Sequence, residues 1–382
     1  MGSLLILNAY ASITPEFLER IMKPCETITE TKIVDLPAVI PKGDVVFAFD
    51  LTGSMSGVIA TAKAQALAIM AALNLLISDA QYGVMSFMDY PHYYEDYYGY
   101  SAEYGYGSDY AYRLDQAVTD DETAVATAIN NLVLGYGSDG PQDYTRIMYE
   151  SYADPAVGWR TGARRILVLL CDNVPHDDNL NEGIGGDPVS TGGDPGRDEE
   201  MMTSDDLDLQ TVLGEMASNN VVLLAVRYGM YAFDYWTYWT GLTGGAAISS
   251  EDAEDIPELI EALVEATAGH IDSLTLVVQE PEYEAWLTCV DPPEYTDIDL
   301  PAERVFEICI TVPCCTPPGV YIFHITAVGD GADYGEQTVI ITVPPEAVIP
   351  EVPFGTIVAS ASMIMGLLGF FLIPRFKRKQ SI

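Results

Sequence analysis

The stretch VVFAFDLTGSMSG, residues 45–57, runs from a continuous apolar segment directly into a turn of acidic and hydroxyl side chains. Such a segment is typical of a central parallel strand, which is buried on both faces. The Ala- and Leu-rich residues that follow predict a helix. In an α/β domain of this kind, ligands bind beyond the carboxyl ends of the strands. Asp50, Thr52 and Ser54 lie at that point, and the alternative is a helix cap without a ligand.

Residues 44–270 repeat this alternation of strand and helix patterns. The predicted fold class is therefore α/β, with a doubly wound, mostly parallel sheet. Strands are predicted at 44–50, 81–90, 164–172 and 221–229, with one expected to be antiparallel at 112–118. Helices are predicted after residue 57, at 120–133, after Pro141, near 207–220 and at 255–270.

Following the chain through this alternation brings two further acids to the edge at which Asp50 lies. The helix at 120–133 delivers the loop YGSDGPQ, residues 136–142, and the strand at 164–172 ends in another acid. In this middle loop, residues 136–142, the expected ligand is Asp139 and the alternative is Ser138. A set of oxygen ligands suits a hard cation, Mg²⁺ or else Ca²⁺ or Mn²⁺. The expected metal ligands are Asp50, Thr52, Ser54, Asp139 and Asp172.

DLTGS, residues 50–54, resembles the D-x-S/T-x-S signature of the von Willebrand factor type A family. CDNVPHD, residues 171–177, is similar to the late metal loop of that family. The resemblance covers about residues 44–270. It implies a metal-ion-dependent adhesion site, in which a bound divalent cation engages a carboxylate of a protein partner.

The resemblance also implies a role for each ligand. In the family two hydroxyls bind the cation directly, which here points to Thr52 and Ser54. The first and last acids act largely through water, which points to Asp50 and Asp172. The middle ligand is commonly Thr, whereas this chain offers Asp139, as in a subset of the family with a Gly-Asp loop.

Two insertions are expected at the same edge of the sheet. Residues 90–112 combine ten tyrosines with Gly and Ser, a composition that is typical of recognition loops; the alternative is a low-complexity loop without a role. Residues 176–206 are rich in Asp and Gly, and we expect a solvated acidic loop rather than a further Ca²⁺ site. The proposed partner-binding tyrosines are Tyr93, Tyr94, Tyr97, Tyr98, Tyr100, Tyr104 and Tyr106.

From residue 271 the pattern changes to short strands separated by Pro and Gly. Residues 271–345 are therefore predicted to form a small Ig-like β-sandwich, followed by a Pro-rich linker at 346–353. Cysteines crowd this region, which indicates disulfides in an extracellular domain, with Cys25 as an additional candidate. Cys171 belongs to a predicted buried strand and is expected to be a core residue.

The uncharged stretch at 354–373 is followed by a basic tail. Its length predicts a transmembrane helix at 354–374, with residues 375–382 in the cytoplasm and the preceding chain outside; the alternative is a buried core helix. Residues 1–43 form an N-terminal lead in which no export signal is recognisable. The C-terminal segment resembles archaeal surface-protein sorting segments of the P-E-F kind, which implies an archaeal surface protein.

The chain has a net charge of −40, which excludes nucleic acid as an expected partner because phosphate binding requires Lys and Arg. The four scattered histidines and the lack of a phosphate-binding loop or nucleophile elbow predict that it is not an enzyme. A metal-dependent hydrolase is a distant alternative. The expected function is cell-surface adhesion through a protein carboxylate, with self-association left open. The main alternative is a structural surface-layer protein in which the cation only stabilises fold or assembly.

Overall fold

The computed structural model describes residues 11–95, 99–229 and 231–345. Several predictions lie outside these ranges: the transmembrane helix at 354–374, the basic tail, the linker at 346–353, and Tyr97 and Tyr98. Within them, the stretch Gly53–Leu73 has the length and the mean hydropathy, 1.4, of a membrane span. Its residues Val58 and Ile69 are buried in the core of the protein, as in a helix of a folded domain.

A six-stranded sheet with the strand order β11-β10-β9-β4-β5-β8 forms the centre of residues 40–269, which we call the α/β unit. All neighbouring strands are parallel except β8, which pairs antiparallel with β5. The mixed α/β fold class is therefore confirmed, as is the antiparallel strand. The strands are β4 (Ile40–Asp50), β5 (Ile77–Phe87), β8 (Arg113–Thr119), β9 (Arg164–Cys171), β10 (Val221–Tyr228) and β11 (Ala246–Ser250).

Helices cover both faces of this sheet, which is why its central strands are apolar on both sides. One face packs against α1, α2 and α6, and the other against α3, α4 and α5. The sequence did not predict α5 or β11, because the segment FDYWTYWTG has few strong helix formers. The helices are α1 (Ser56–Leu73), α2 (Glu122–Asn131), α3 (Tyr144–Ala153), α4 (Leu209–Ser218), α5 (Phe233–Gly241) and α6 (Ile256–Ala268).

Two further sheets share a separate apolar core, and together they form what we call the β unit. Their strand orders are β1-β3-β15-β13 and β14-β12-β16-β17-β2. The strands before the α/β unit are β1 (Ser12–Thr14), β2 (Phe17–Ile21) and β3 (Thr27–Leu36). Those after it are β12 (His270–Val278), β13 (Leu287–Asp291), β14 (Tyr295–Asp299), β15 (Ala302–Thr311), β16 (Gly319–Gly329) and β17 (Ala332–Val343).

The β unit includes residues that the sequence analysis assigned to an N-terminal lead. β3 pairs antiparallel with β15 along ten residues of each strand, and β2 pairs in parallel with β17. The α/β unit is thus inserted between two halves of the β unit. Pairing between strands more than 260 residues apart leaves no local pattern in the sequence. The sequence analysis therefore separated residues 1–43 from the β-rich region that they join.

A buried arginine joins the two units. Arg164, at the start of β9, donates a hydrogen bond of 3.0 Å to the carboxylate of Asp330 and one of 3.2 Å to the backbone carbonyl of His270. Its side chain is 4% exposed. Because a charge-assisted bond out of water is stronger than one on the surface, this contact fixes the start of β9 against the β unit.

Two disulfides lie in the β unit, Cys25–Cys314 and Cys289–Cys309. The first ties the segment before β3 to the segment after β15, and the second links the paired strands β13 and β15. Cys171 is buried and Cys315 is exposed, and both are free thiols. Cys25 is therefore a disulfide partner, as the sequence suggested, whereas Cys315 has no disulfide partner among the described residues.

We predict two reactive thiols per chain when the oxidised protein is denatured without reductant and titrated with a thiol reagent. In the native state only Cys315 should react, because Cys171 is fully buried and a thiol reagent requires access to the thiolate. Cys315→Ser should lower both counts by one. Four or more free thiols after denaturation would contradict the two disulfides.

Candidate metal centre

Acidic side chains lie at the carboxyl ends of β4, β5 and β9. These three strands are parallel neighbours, so their carboxyl ends lie at one edge. Asp50 is the last residue of β4, Asp89 follows β5 by two residues, and Asp172 follows β9 directly. Ligand sites of open parallel sheets form at this edge, and the structure therefore brings three acids from separate segments into one region.

The turn after β4 holds its oxygen atoms close together. Asp50 is fully buried, and its Oδ1 accepts hydrogen bonds from the backbone N–H of Thr52 at 2.9 Å and from its hydroxyl at 2.6 Å. The hydroxyl oxygens of Thr52 and Ser54 are 3.3 Å apart, and Ser54 is exposed. Two hydroxyls and a carboxylate thus converge on one side of the turn.

Tyr144, the first residue of α3, bridges the first and last of these loops. Its hydroxyl donates a hydrogen bond to Oδ2 of Asp50. The hydroxyl oxygen of Tyr144 in turn accepts hydrogen bonds from the backbone N–H groups of Asp172 at 3.3 Å and Asn173 at 3.2 Å. Because Tyr144 is fully buried, the distance between the Asp50 turn and the Asp172 loop is held by a packed side chain.

We predict that Tyr144→Phe weakens Mg²⁺ binding by roughly 10-fold, as expected when a group that orients a metal ligand is lost. The ring packing is retained, so far-ultraviolet circular dichroism should match that of the parent. Isothermal titration calorimetry measures the change. Tyr149→Phe, a change on the same helix, is the matched control and should bind Mg²⁺ as the parent does. An affinity unchanged in Tyr144→Phe would exclude this positioning role.

The charges at this edge oppose one another in the absence of a cation. Burial, together with the nearby negative charge of Asp172, raises the pKa of Asp50 to about 7, although the hydrogen bonds from Thr52 and Tyr144 act to lower it. A divalent cation offsets such repulsion. The donors are carboxylate and hydroxyl oxygens, so they fit a hard cation. Asp50, Thr52, Ser54 and Asp172 are therefore the residues that could hold one.

The loop at 136–142, the middle loop, reaches this edge, and its acid contacts Tyr100 and His176. Tyr136 accepts a backbone hydrogen bond of 3.4 Å from Gly53. Oδ2 of Asp139, however, accepts a hydrogen bond of 2.9 Å from Tyr100, and its Oδ1 lies 3.8 Å from Nε2 of His176. That Asp139 completes the Asp50 group stays a prediction, and the side-chain contacts found here are ones that the sequence could not show, because side-chain direction in an irregular loop has no sequence pattern.

Gln142 lies on the same loop and offers a further oxygen atom that could bind a metal ion, which the sequence analysis missed. A Cβ atom at Gly137 would lie 3.0 Å from the Thr52 methyl group and 3.2 Å from Oε1 of Gln142, so both side chains flank Gly137. Oε1 of Gln142 is buried and accepts no hydrogen bond from the described residues. A buried acceptor without a donor is costly, and a nearby cation would satisfy it.

The tyrosine-rich segment is a packed hairpin, with β6 (Tyr93–Glu95) antiparallel to β7 (Ser101–Glu103). Tyr94 is 7% exposed and Tyr104 is fully buried, so neither offers a partner surface, and Tyr100 is partly buried against Asp139. Tyr93 and Tyr106 are more than half exposed. Among the described tyrosines, the exposed surface is thus smaller than composition suggested, because Tyr94, Tyr100 and Tyr104 pack in the hairpin's own core.

Exposed aromatic rings lie beside the Asp50 turn. Tyr106 is 56% exposed and Tyr136 is 61% exposed, and their rings are 5.4 Å apart in an edge-to-face arrangement. The backbone oxygen of Tyr136 is the acceptor for Gly53 within the turn. This pair, which we call the tyrosine pair, is therefore connected to the Asp50 turn through the backbone of Tyr136.

The insertion at 176–206 is more ordered than the solvated loop expected from its composition. The hydroxyl of Tyr90 donates to Asp194 at 2.7 Å, and both residues are buried. Asp177 accepts backbone hydrogen bonds from Asn179 and from Leu209 at the start of α4. Its carboxylate approaches those of Asp178 and Asp208, but these bonds already explain why Asp177 lies at a helix N-terminus.

No family model matches the sequence, and no curated protein matches it. Among solved structures, the chain is similar to a von Willebrand factor type A protein from Catenulispora acidiphila, with 15% identity over 89% of this chain and 75% of that one, at a TM-score of 0.41. It is also similar to proximal thread matrix protein 1 from the mussel byssus, with 11% identity over 63% of this chain and half of that one, at a TM-score of 0.39.

Proposed function

We propose that the chain is a cell-surface adhesion or protein-binding module of the von Willebrand factor A kind. In this proposal a divalent cation at the Asp50 edge engages a carboxylate of the partner. The observation that carries the proposal is the convergence of Asp50, Thr52, Ser54 and Asp172, all with oxygen donors, at the carboxyl edge of a parallel sheet.

Each residue has a distinct part in this arrangement. The hydroxyls of Thr52 and Ser54 would bind the cation directly, while Asp50 and Asp172 balance its charge. When bound, Mg²⁺ supplies a positive charge and a coordination position that a carboxylate oxygen of the partner can occupy. The protein as a whole carries a net charge of −40 and repels anions, so the cation offsets this repulsion at one point on the surface.

The tyrosine pair supplies the uncharged part of the proposed contact surface. Aromatic rings carry much of the binding energy at protein interfaces. The backbone of Tyr136 contacts the turn that contains Thr52 and Ser54, and the Tyr136 ring packs on that of Tyr106. We therefore expect a partner whose carboxylate reaches the cation to meet both rings.

The location proposed for the module is the outside of a cell. Two disulfides favour an oxidising compartment. The stretch at 354–374 would anchor the chain in the membrane, as its length and the basic tail indicate, and its resemblance to P-E-F-type segments favours an archaeal surface. Localisation of the tagged full chain by membrane fractionation and protease accessibility tests this part of the proposal.

A display library of peptides with one central Glu or Asp among basic residues tests the function. Peptides should be enriched on the immobilised protein in Mg²⁺ and lost in EDTA, and Glu→Gln in an enriched peptide should abolish binding. A library in which no acidic peptide depends on Mg²⁺ would contradict carboxylate recognition. If Mg²⁺ then raises only the unfolding temperature, the alternative of a structural surface-layer protein is favoured.

We predict that replacing both members of the tyrosine pair by Ala weakens the binding of an enriched peptide by roughly 30-fold or more, since one hot-spot side chain alone contributes about 2 kcal/mol. Mg²⁺ affinity should stay within a factor of two of the parent. Phe17→Ala, which removes an exposed ring of the β unit, is the matched control and should leave peptide binding unchanged. Equal peptide affinity in the double variant and the parent would move the contact surface elsewhere.

A further inference from the structure

A second group of ligand-type side chains lies between the tyrosine hairpin and the middle loop. One oxygen each of Asp89 and Asp139 and a ring nitrogen of His176 lie within 4.8 Å of one another. Asp89 and His176 are fully buried. These residues belong to three separate segments, after β5, before α3 and after β9, so their convergence is a property of the tertiary fold.

Next to this group is a buried acid without a hydrogen-bond donor. Asp143 is fully buried, and no N–H or hydroxyl group of the described residues donates to either of its carboxyl oxygens. Its neighbour is another acid, Asp89, within hydrogen-bonding reach. Two neighbouring carboxyl groups out of water repel each other when both are ionised, and a positively charged ligand would offset this repulsion.

His176 is oriented as metal-binding histidines are. Its Nδ1 lies 2.8 Å from the backbone carbonyl oxygen of Thr191, and because a carbonyl only accepts, Nδ1 carries the hydrogen. Nε2 then faces the carboxylates of Asp89, at 3.3 Å, and Asp139, at 3.8 Å. A backbone acceptor on one ring nitrogen fixes the tautomer whose other nitrogen binds the metal.

The distances suit an ion between these atoms. Two ligands about 2.1 Å from one Zn²⁺ ion in tetrahedral geometry are roughly 3.4 Å apart. The distances from Nε2 to the two carboxylate oxygens are close to that value. An ion at this point requires only small shifts of Asp139, which is partly exposed.

We propose that Asp89, Asp139 and His176, with Asp143 beside them, bind one divalent transition metal ion of the Zn²⁺ class at a second site on this edge of the sheet, distinct from the group of Asp50, Thr52, Ser54 and Asp172. The imidazole nitrogen distinguishes the two sites: nitrogen ligands favour Zn²⁺ and similar ions, whereas oxygen-only sets suit Mg²⁺ and Ca²⁺.

The ion would stabilise the segments that surround the group of Asp50, Thr52, Ser54 and Asp172, which we call the adhesion edge. The ring of Tyr104, from the hairpin, stacks on the His176 ring at 3.6 Å and an angle of 3°. Asp139 is on the loop that also contains Tyr136 and Gln142, which border the Asp50 turn. A metal bound to His176 and Asp139 thus connects the hairpin, the middle loop and the insertion at 176–206.

The test measures Zn²⁺ binding by the full chain in detergent, with excess Mg²⁺ present to saturate the Asp50 edge. The parent should bind one equivalent of Zn²⁺ tightly, and His176→Gln should weaken this binding by at least about 100-fold, since a direct ligand is lost. His270→Gln is the matched control, because His270 lies among surface acids, and it should keep the tight site. Asp50→Ala should keep it as well.

A parent chain without a tight Zn²⁺ site, or a His176→Gln chain that binds as the parent does, overturns the proposal in favour of a buried imidazolium paired with Asp89. A second measurement covers the case in which His176→Gln fails to fold. Co²⁺ bound to the parent in excess Mg²⁺ should give the intense visible absorption of a four-coordinate site, and Asp143→Asn should change that spectrum. The weak absorption of a six-coordinate aqueous ion would contradict the site.

Discussion

Asp50→Ala is expected to lower Mg²⁺ affinity at the adhesion edge by at least about 100-fold, because the first acid of the ligand set and the acceptor that orients the Thr52 hydroxyl are lost together. The protein should stay folded. Burial and the charge of Asp172 together raise the pKa of Asp50 to about 7, so in the absence of metal its ionised form is less favourable in the folded state than in the unfolded chain. Removing it therefore relieves a repulsion with Asp172 as well as breaking hydrogen bonds.

Two controls separate metal binding from folding in this experiment. Asp50→Asn keeps the shape and removes the charge, and it should lose Mg²⁺ affinity as Asp50→Ala does. Asp120→Ala removes an exposed acid far from the turn in sequence and should bind as the parent does. Calorimetry gives the affinities and circular dichroism the fold. Equal Mg²⁺ affinity in Asp50→Ala and the parent would remove Asp50 from the metal centre.

The second large effect concerns the β unit. A fragment of residues 271–345, which is the domain boundary that the sequence suggests, is expected to be unfolded on its own. It lacks β1, β2 and β3, and β15 and β17 then lose partners along their edges. The same fragment with residues 11–37 added through a short flexible linker should fold, since both halves of the unit are then present.

The magnitude follows from the core of the β unit. Residues 11–37 contribute five apolar side chains to it that are at most 2% exposed, and each contributes about 1.5–3 kcal/mol on burial. Their loss removes roughly 8–15 kcal/mol, which equals the whole stability of a typical domain. These side chains are Ile13, Leu18, Met22, Val34 and Leu36.

A matched fragment tests the insertion itself. Residues 38–269 contain both cores of the α/β unit and should fold without the β unit. Cooperative thermal unfolding of the isolated 271–345 fragment, or an unfolded 38–269 fragment, would contradict the division into an inserted α/β unit and a β unit built from two halves.

The sheet of the α/β unit was predictable because its signals are local. Apolar runs without alternation mark β4, β9 and β10, and a strand ending in Asp50 marks the edge at which ligands bind. Asp89 carries a similar signal, an acid two residues beyond the end of β5, and could have been found in this way. His176 and Tyr144 have no local signal, since their roles depend on stacking and hydrogen bonds between distant segments.

In the tyrosine-rich segment at 90–112, amino-acid composition alone did not show which tyrosines are buried and which are exposed. Tyrosine with Gly and Ser is typical of both recognition loops and small packed hairpins, and only the burial of each ring distinguishes them. Tyr104 packs on His176 and Tyr94 on Tyr104, whereas Tyr106 faces solvent. The pairing of β3 with β15 was likewise hidden, because the entire α/β unit separates them in sequence.

The position of the cation is the central claim, and diffraction from crystals of the protein soaked in Mn²⁺ tests it most directly. Anomalous maps should show a Mn²⁺ peak about 2.2 Å from the hydroxyl oxygens of Thr52 and Ser54, with Asp50 and Asp172 around it. A map with no peak at that turn, or with Mn²⁺ only beside His176, would contradict the adhesion site.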